Sequence, residues 1–362
     1  MVGADPVAKG NTRPTPFVDT RFKQALIKHG CVGGQTGWQP VHELDAPAYL
    51  KHHSHGEFVF DWMWARAAQR ASISWYPKLL IAAPFSPVTG ERLGLTNRQP
   101  DAMAQTLTDI EAFCHAHRLS NAGINFCAPA DREILDKSRW LHRFDWQFHW
   151  QNRDYETFDD FLGQLKRKPR KNIRAERKKP IDQGWTFKWI DGNEASNDQL
   201  ALAHQCYSIT HHRYGNHPAL SLEFFIDVSR AFGDQFLLCV ASQEDQDLAC
   251  AIFFRDDTRL YGRYWGSLIE TRDLHFETCY YQGIEYCIAE GLEWFEPGAQ
   301  GEHKIKRGFM PHKTHSYHWF ALPQLYQGIS DYLKQEKRAL LDYRAELETL
   351  NPYQDSNAHA NP

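Results

Sequence analysis

Between residues 140 and 150 the chain alternates with a period of two. Trp140, His142, Phe144, Trp146, Phe148 and Trp150 fall on one side, and Arg143, Asp145, Gln147 and His149 on the other. Successive side chains of a β-strand point to opposite faces, so this run predicts one long strand with an aromatic face turned to a core. A strand of that length requires sheet neighbours. Short apolar runs at 38–44, 78–83, 122–127, 185–190 and 292–295 read as further strands. Runs at 235–241, 248–255 and 259–266, separated by turns rich in Glu, Asp and Gln, read as an antiparallel meander.

Helical spacing fills the intervals. Residues 19–29, 61–70, 101–117, 198–212, 277–290 and 325–350 carry apolar side chains at a 3.6-residue period or are bounded by helix stops such as Gly30 and Gly291. Within 157–168, Phe158, Phe161, Leu162 and Leu165 mark an amphipathic helix, which Pro169 is expected to interrupt. A basic helix then runs to about Gln183, with Gly184 closing it. At 362 residues the chain holds about two domains of ordinary size. Strands and helices are mixed in both halves, which predicts an α+β fold from a duplicated unit, although no residue-level repeat links the halves.

Composition narrows the class. The formal charge of −4 gives no whole-molecule attraction to a polyanion, so DNA is not an expected partner and any phosphate site is a local patch. Residues 1–16 lack the apolar core of a signal peptide, and no stretch reaches the roughly 18 to 20 apolar residues of a membrane span. The eight cysteines stand far apart, mostly in apolar runs, with no CxxC pair. Buried reduced thiols and a cytoplasmic location are the expectation.

Five segments carry residues suited to chemistry. In the basic helix, Lys171, Arg174 and Lys178 share a face able to hold phosphates, or else form a solvated surface. The cluster His52-His53-Ser54-His55-Gly56-Glu57 reads as a loop touching substrate, as a metal site, or as structure; no HExxH pattern accompanies it, and no metal is expected. His211, His212, Arg213 and Tyr214 enter a polar loop of donors and a cation, which reads as a ligand loop or a helix-capping turn. His275 and Glu277 open a helix whose N-terminus suits an anion. The loop 297–309 joins small residues to Glu302, His303, Lys304, Lys306 and Arg307, an acid, an imidazole and three cations. Neither a GxxxxGK[ST] loop nor a GxSxG elbow is present.

The strings YLKHHSHGEFVFDW (49–62), WYPKLLIAAPFSPVTGERL (75–93), RYWGS (263–267), LHFETCYYQGIEYCIAEGLEWFEPGAQGEHKIKRGF (274–309) and HSYHWF (315–320) resemble a bacterial family of N-acyltransferases. That family carries the label peptidoglycan biosynthesis/recognition and stands near the Fem-type aminoacyltransferases of the GNAT superfamily. The resemblance implies two tandem GNAT-like domains with mixed, mostly antiparallel sheets flanked by helices. The expected division is 1–156, a basic segment 157–184 joined to the second half, 185–350, and a frayed tail 351–362. It implies acyl or aminoacyl transfer from acyl-CoA or aminoacyl-tRNA, used as a co-substrate and not a bound cofactor. The acceptor is an amine on a small molecule or cell-wall precursor. Lys306 matches the Lys of the Fem Phe-Lys pair that handles the aminoacyl-tRNA, with Ile305 in place of the Phe. The GNAT pyrophosphate signature Arg/Gln-x-x-Gly-x-Gly/Ala is missing in clean form.

On this reading Glu302 or His303 takes the ammonium proton, and Lys306 and Arg307 steady donor phosphates or the oxyanion. Gly308, Phe309, His275, Glu277, Lys171, Arg174 and Lys178 complete the donor side. His53, His55, Glu57, His212, Arg213 and Tyr214 shape the acceptor side. Two rivals remain: a non-catalytic module binding a cell-wall precursor or tRNA, and a metal-dependent hydrolase using the histidines.

Overall fold

The computed structural model describes residues 13–271, 274–299 and 301–354. The chain forms two compact units. One comprises residues 17–146 and 313–344, and the other residues 13–16, 147–312 and 345–354. The tail expected beyond 351 lies outside the described residues from 355 onward, as does Gln300 of the 297–309 loop.

The first unit opens with α1 (Thr20–Lys28), whose N-cap Asp19 accepts from the Arg21 backbone N–H. Strands β1 (Trp38–Val41) and β2 (Ala48–Lys51) follow, then α2 (Trp62–Arg70), β3 (Lys78–Ile81), α3 (Pro100–Ala116), β4 (Asn121–Asn125) and α4 (Pro129–Leu135). The long strand β5 (Leu141–Gln151) carries the chain out of this unit.

In the second unit come α5 (Phe158–Gly163), α6 (Arg167–Asp182), β6 (Thr186–Asp191), α7 (Asn197–Arg213) and α8 (Leu222–Phe232). The meander β7 (Phe236–Gln243), β8 (Gln246–Arg255) and β9 (Arg259–Ser267) is followed by α9 (Leu274–Phe276), a π-helical turn (Glu277–Tyr281), α10 (Gln282–Ala289) and β10 (Trp294–Glu296). A 3₁₀ turn (Glu302–Arg307) precedes β11 (Met310–Phe320), which returns the chain to the first unit, where α11 (Pro323–Thr349) begins.

Within the first unit the sheet order is β1-β2-β3-β4-β11, antiparallel except for the parallel pair β3–β4. Its core gathers Leu79, Ile81, Leu107, Ile110, Ile124, Tyr317 and Trp319. Leu325, Ile329 and Leu333 of α11 pack with Trp64, Trp75 and Phe320. In the second unit the order is β5-β10-β9-β8-β7-β6, antiparallel except for β10–β9. Two glycines set the packing of helices on this sheet. A Cβ on Gly266 of β9 would sit 2.0 Å from the Cys206 carbonyl oxygen of α7, and one on Gly283 of α10 would sit 2.4 Å from the Phe295 ring. Only a residue without a side chain permits so close an approach.

Several sequence expectations change. The aromatic face of β5 is turned inward only in part: His142 is exposed, Phe144 buried and Trp146 half-buried, and residues 147–150 are all buried. Both faces of the strand are covered there, so Gln147 and His149 turn inward and the His149 ring N–H bonds the Gln147 side-chain oxygen at 3.0 Å. Pro169 does not interrupt a helix: it lies in the first turn of α6, where its missing N–H is no loss, and the break falls at residues 164–166. The segment 302–307 is a 3₁₀ turn where an open loop was expected, because Lys304 and Ile305 are drawn into the interior. Strand β11 and helix α8 were not foreseen. Helix α11, grouped by sequence with the second half, begins in the first unit's core.

Candidate active site

The second unit contains a cleft of about 410 Å³ where the last two turns of α7 lie against the end of β9. Helix α7 starts from a capping box, Ser196 with Gln199, and its far end is tied down by the Thr210 hydroxyl donating to the Trp265 carbonyl at 2.6 Å. This end contributes Tyr207, His211, Arg213 and Tyr214 to the cleft, while β9 contributes Arg263 and Tyr264, and His275 enters from α9. Arg263 owes its position to the pairing of β8 and β9. Ile252 faces Tyr264 and Phe253 faces Gly262, so Arg263 is the extra residue of a β-bulge. Bulges re-aim side chains and concentrate beside active sites.

His211 is held in one tautomer. Its Nδ1–H donates to the Tyr207 carbonyl at 3.0 Å, which leaves the Nε2 lone pair as the ring's acceptor. Burial, and then the neighbouring His212 and His217, lower its pKa against the opposing pull of that carbonyl, so the ring is neutral at pH 7. Tyr207 stands 4.1 Å from it, ring to ring, and Tyr264 stands 4.8 Å from Tyr207. His275 is pushed down to about 4 by burial, then by His303, Lys304 and Arg307. Its ring meets Trp265 at 5.7 Å and Tyr280 at 5.2 Å. The π turn that follows His275 packs an extra residue into one turn, a feature found mostly at functional sites.

Further along the chain, the 3₁₀ turn divides its charges. Lys304 is 2% exposed, donates to the Gly298 carbonyl at 2.8 Å and is pushed down to about 7, chiefly by burial. Arg307 is buried, pairs with Glu176 at 2.8 Å and lies 3.5 Å over the Phe276 ring. Tyr281 also donates to Glu176. His303 bonds the Tyr280 hydroxyl at 3.0 Å, and Glu302 and Lys306 are exposed.

The remaining expected residues sort by burial and partner. Phe309 is fully buried, 5.4 Å from both Tyr280 and Phe295, and Gly308 accepts from the Tyr353 hydroxyl at 2.7 Å. Both serve the core. Glu277 is buried beside Arg177 at 3.1 Å, and burial raises its pKa against that cation. On α6, Lys171 is exposed, Arg174 pairs with Asp159 at 2.9 Å and Lys178 with Asp182 at 2.6 Å. Arg213, Tyr214 and His275 therefore share the cleft with His211, which the sequence placed in the same polar loop, and with Arg263, which sequence reasoning did not select. His212 is exposed and, with Glu302 and His303, is not among the described residues lining it.

The expected acceptor residues of the first unit belong to a different arrangement. Glu57 is 3% exposed and accepts from Lys78 at 2.8 Å; Lys78 also pairs with Asp61. Burial pushes Glu57 up to about 7, while the two carboxylates overcome burial to raise Lys78 to about 12. Beside them Lys51, pushed down to about 7 mainly by burial, donates to the His55 carbonyl at 3.3 Å and lies 3.7 Å over the Trp38 ring. Glu57 is thus a buried ion-pair partner where a loop open to substrate was expected. His53 donates from Nε2 to the Thr36 carbonyl at 3.0 Å, and its Nδ1 accepts from the His55 backbone N–H at 3.2 Å. Among the described residues no group of three His, Cys, Asp or Glu side chains is arranged to hold a metal ion. None of the described helices is long and apolar enough to cross a membrane.

Three solved structures share the fold over most of both chains. The C-terminal domain of a putative lysylphosphatidylglycerol synthetase from Agrobacterium fabrum is 9% identical, with a TM-score of 0.52 over 87% of this chain and 95% of that one. L-PGS from Bacillus licheniformis is 10% identical, with a TM-score of 0.50 over 90% and 99%. FemX is 12% identical, with a TM-score of 0.50 over 86% and 93%. The fold is that of two tandem GNAT-like domains with mixed, mostly antiparallel sheets flanked by helices. No curated protein matches the chain. The FemAB-like family, described as peptidoglycan biosynthesis/recognition, matches residues 5–355, and the chain belongs to it.

Proposed function

We propose that the protein is an N-acyltransferase, moving an acyl or aminoacyl group from acyl-CoA or aminoacyl-tRNA to an amine, and that the cleft of the second unit is where it does so. One observation carries this reading. His211 lines the cleft with Nδ1 committed to the Tyr207 carbonyl and Nε2 left to accept a proton.

The amine nitrogen attacks the donor carbonyl carbon, and the carbonyl π pair moves to oxygen. His211 Nε2 takes the proton that the nitrogen sheds. Arg263, aimed by its bulge, faces the negative charge that develops on oxygen. Collapse of the tetrahedral species breaks the bond to the thiol or ribose oxygen, and the imidazolium returns its proton to that leaving group. Arg213 and Tyr214, exposed at the rim, meet the acceptor. Lys306 and the α6 cations Lys171, Arg174 and Lys178 supply positive charge for donor phosphates, with a salt dependence that grows with their number. Among the proposed bases His211 is preferred to Glu302 and His303 because it lines the cleft.

The test pairs donor binding with turnover. Calorimetry with coenzyme A, acetyl-coenzyme A and charged tRNA at two salt concentrations identifies the donor. With that donor, His211→Gln lowers kcat by about 10² or more, while Glu302→Gln stays within a few-fold of the parent. Because burial lowers the His211 pKa, the basic form persists below the pH where a free imidazole protonates. The acid limb of the kcat/KM profile therefore lies below about pH 6.5. Full activity in His211→Gln removes this base, and failure to bind any donor removes the transferase reading.

A further inference from the structure

Around Asp61 the first unit turns its side chains in opposite directions. Asp61 is buried, where it pairs with Lys78 and accepts from the Trp75 indole N–H at 3.1 Å. Its neighbours face solvent: Phe60 is 39% exposed, Trp62 47% and Met63 64%. The Phe60 and Trp62 rings stand 5.1 Å apart, and the exposed His55 lies 6.5 Å from Trp62. The support beneath them is firm. Arg143 donates to the Phe60 carbonyl at 2.8 Å while its other N–H groups grip Glu336 at 2.7 and 2.8 Å. Trp64, two residues beyond Trp62, packs in the core with Trp75 and Phe320.

Helix α2 continues this surface. Trp62, Arg66 and Arg70 recur every four residues, with Met63 beside them, on the face opposite the buried Trp64 and Ala68. Both arginines are exposed. The acids between residues 48 and 77 are Glu57 and Asp61, and both are buried against Lys78. On α11, Glu336 is committed to Arg143 and Asp331 to Lys334. The charge that α2 shows to solvent is therefore positive. Phe60, Trp62 and Met63 together expose about 300 Å² of apolar surface, a size that marks an interaction site when the side chains are contiguous. A stable dimer buries about 800 Å² on each partner, which this patch does not reach. A bilayer surface asks for less: a few large apolar side chains at headgroup depth, with cations beside them.

We propose that the first unit docks on an anionic bilayer surface through this patch. Phe60, Trp62 and Met63 enter the boundary between headgroups and acyl chains, and Arg66 and Arg70 lie against the lipid phosphates. A small apolar wedge alone gives marginal, reversible binding, so charge supplies the second signal. Each arginine near an anionic surface raises partitioning about 5-fold. The patch uses none of the residues that line the cleft of the second unit, so the docking stands or falls apart from the transferase reading.

Flotation of the full-length protein with vesicles of phosphatidylcholine, alone or mixed with phosphatidylglycerol, tests this. With the anionic vesicles we expect a Kd of about 1 mM accessible lipid or tighter, weakening as salt is raised. Phosphatidylcholine alone binds about 10-fold or more weakly. Arg66→Gln/Arg70→Gln loses about 10-fold or more on anionic vesicles, and Trp62→Ser/Met63→Ser loses about as much. Both keep the circular dichroism and melting of the parent, because the altered side chains face solvent. Lys171→Ala/Lys178→Ala, on the basic helix of the second unit, leaves vesicle binding intact. Lipids brominated on their acyl chains quench the fluorescence of the bound parent, and Trp62→Phe loses most of that quenching. No flotation at about 5 mM lipid, unchanged affinity in the patch variants, or equal loss in the α6 variant overturns the proposal. So does self-association by analytical ultracentrifugation that Trp62→Ser/Met63→Ser abolishes without any vesicle binding, since a second copy then covers the patch.

Discussion

The two units treat their internal charges in opposite ways. In the first, Lys78, Glu57 and Asp61 close on one another around a cavity of only about 10 Å³, with Lys51 beside them. In the second, Arg263, His211 and His275 surround a cleft of about 410 Å³. A buried pair that satisfies itself holds a fold together. In the cleft, Arg263 lies 5.7 Å over the Tyr264 ring and His211 bonds a backbone carbonyl, yet both still line open space. The presence of histidines and cations does not distinguish these uses, since each region has both. What separates them is enclosure: one set packs around almost no space, and the other lines a cleft.

The sharpest way to break this contrast is Lys78→Met. It leaves Glu57 and Asp61 buried without their cation, and the expected loss in unfolding free energy is about 3–5 kcal/mol by denaturant titration. Neutralising both carboxylates in the same chain, with Glu57→Gln and Asp61→Asn, should restore most of it. A loss under about 1 kcal/mol would mean the cluster is better hydrated than its burial implies.

A more gradual effect, spread over several pH units, comes from Lys304 in the second unit. Its folded pKa, about 7, lies below its unfolded value near 10.5. Between those values the unfolded chain binds the extra proton, so this residue makes stability rise with pH from about 7 to 10.5. The slope approaches ~1.4 kcal/mol per unit. Lys304→Met should flatten that part of the pH–stability curve, and an unchanged slope would place the titration elsewhere. The smallest effect is expected on α6, where Lys178 pairs with Asp182 in full solvent. Lys178→Ala should leave the melting temperature nearly unmoved while reducing the salt sensitivity of tRNA binding, if tRNA is the donor.

Elements whose pattern is local were legible. The extended character of β5 and the apolar faces of α1, α3 and α7 follow from single side chains and their spacing. Strand β11 was hidden because Thr314, Ser316 and His318 give one of its buried faces a polar composition. Helix α8 was legible after the fact: Ser221 caps it, and Phe224, Phe225, Val228 and Phe232 form its buried face. Within the cleft, Arg213, Tyr214 and His275 were reachable from residue type. Arg263 was not, because a bulge exists only once β8 and β9 are in register. His211 stood in the polar loop the sequence singled out, but its useful tautomer is set by a backbone carbonyl one helical turn away. The 302–309 segment misled in the other direction. Its small residues suggested openness, yet Lys304, Ile305, Arg307 and Phe309 are interior.

The path of the chain through the units has a consequence for its biogenesis. A ribosome releases residues 147–312 before it has made β11 and α11. The earlier unit therefore emerges first and waits longest for Tyr317, Trp319, Leu325, Ile329 and Leu333 to complete its interior. During that interval Trp64, Trp75 and the unfilled edge of β4 are presented to the cytosol of any host that makes the chain. Nascent chains with such exposed apolar surface and unpaired strand edges are the ones that need a chaperone's shelter. A stop codon anywhere before the last helix would leave a product whose opening half never closes.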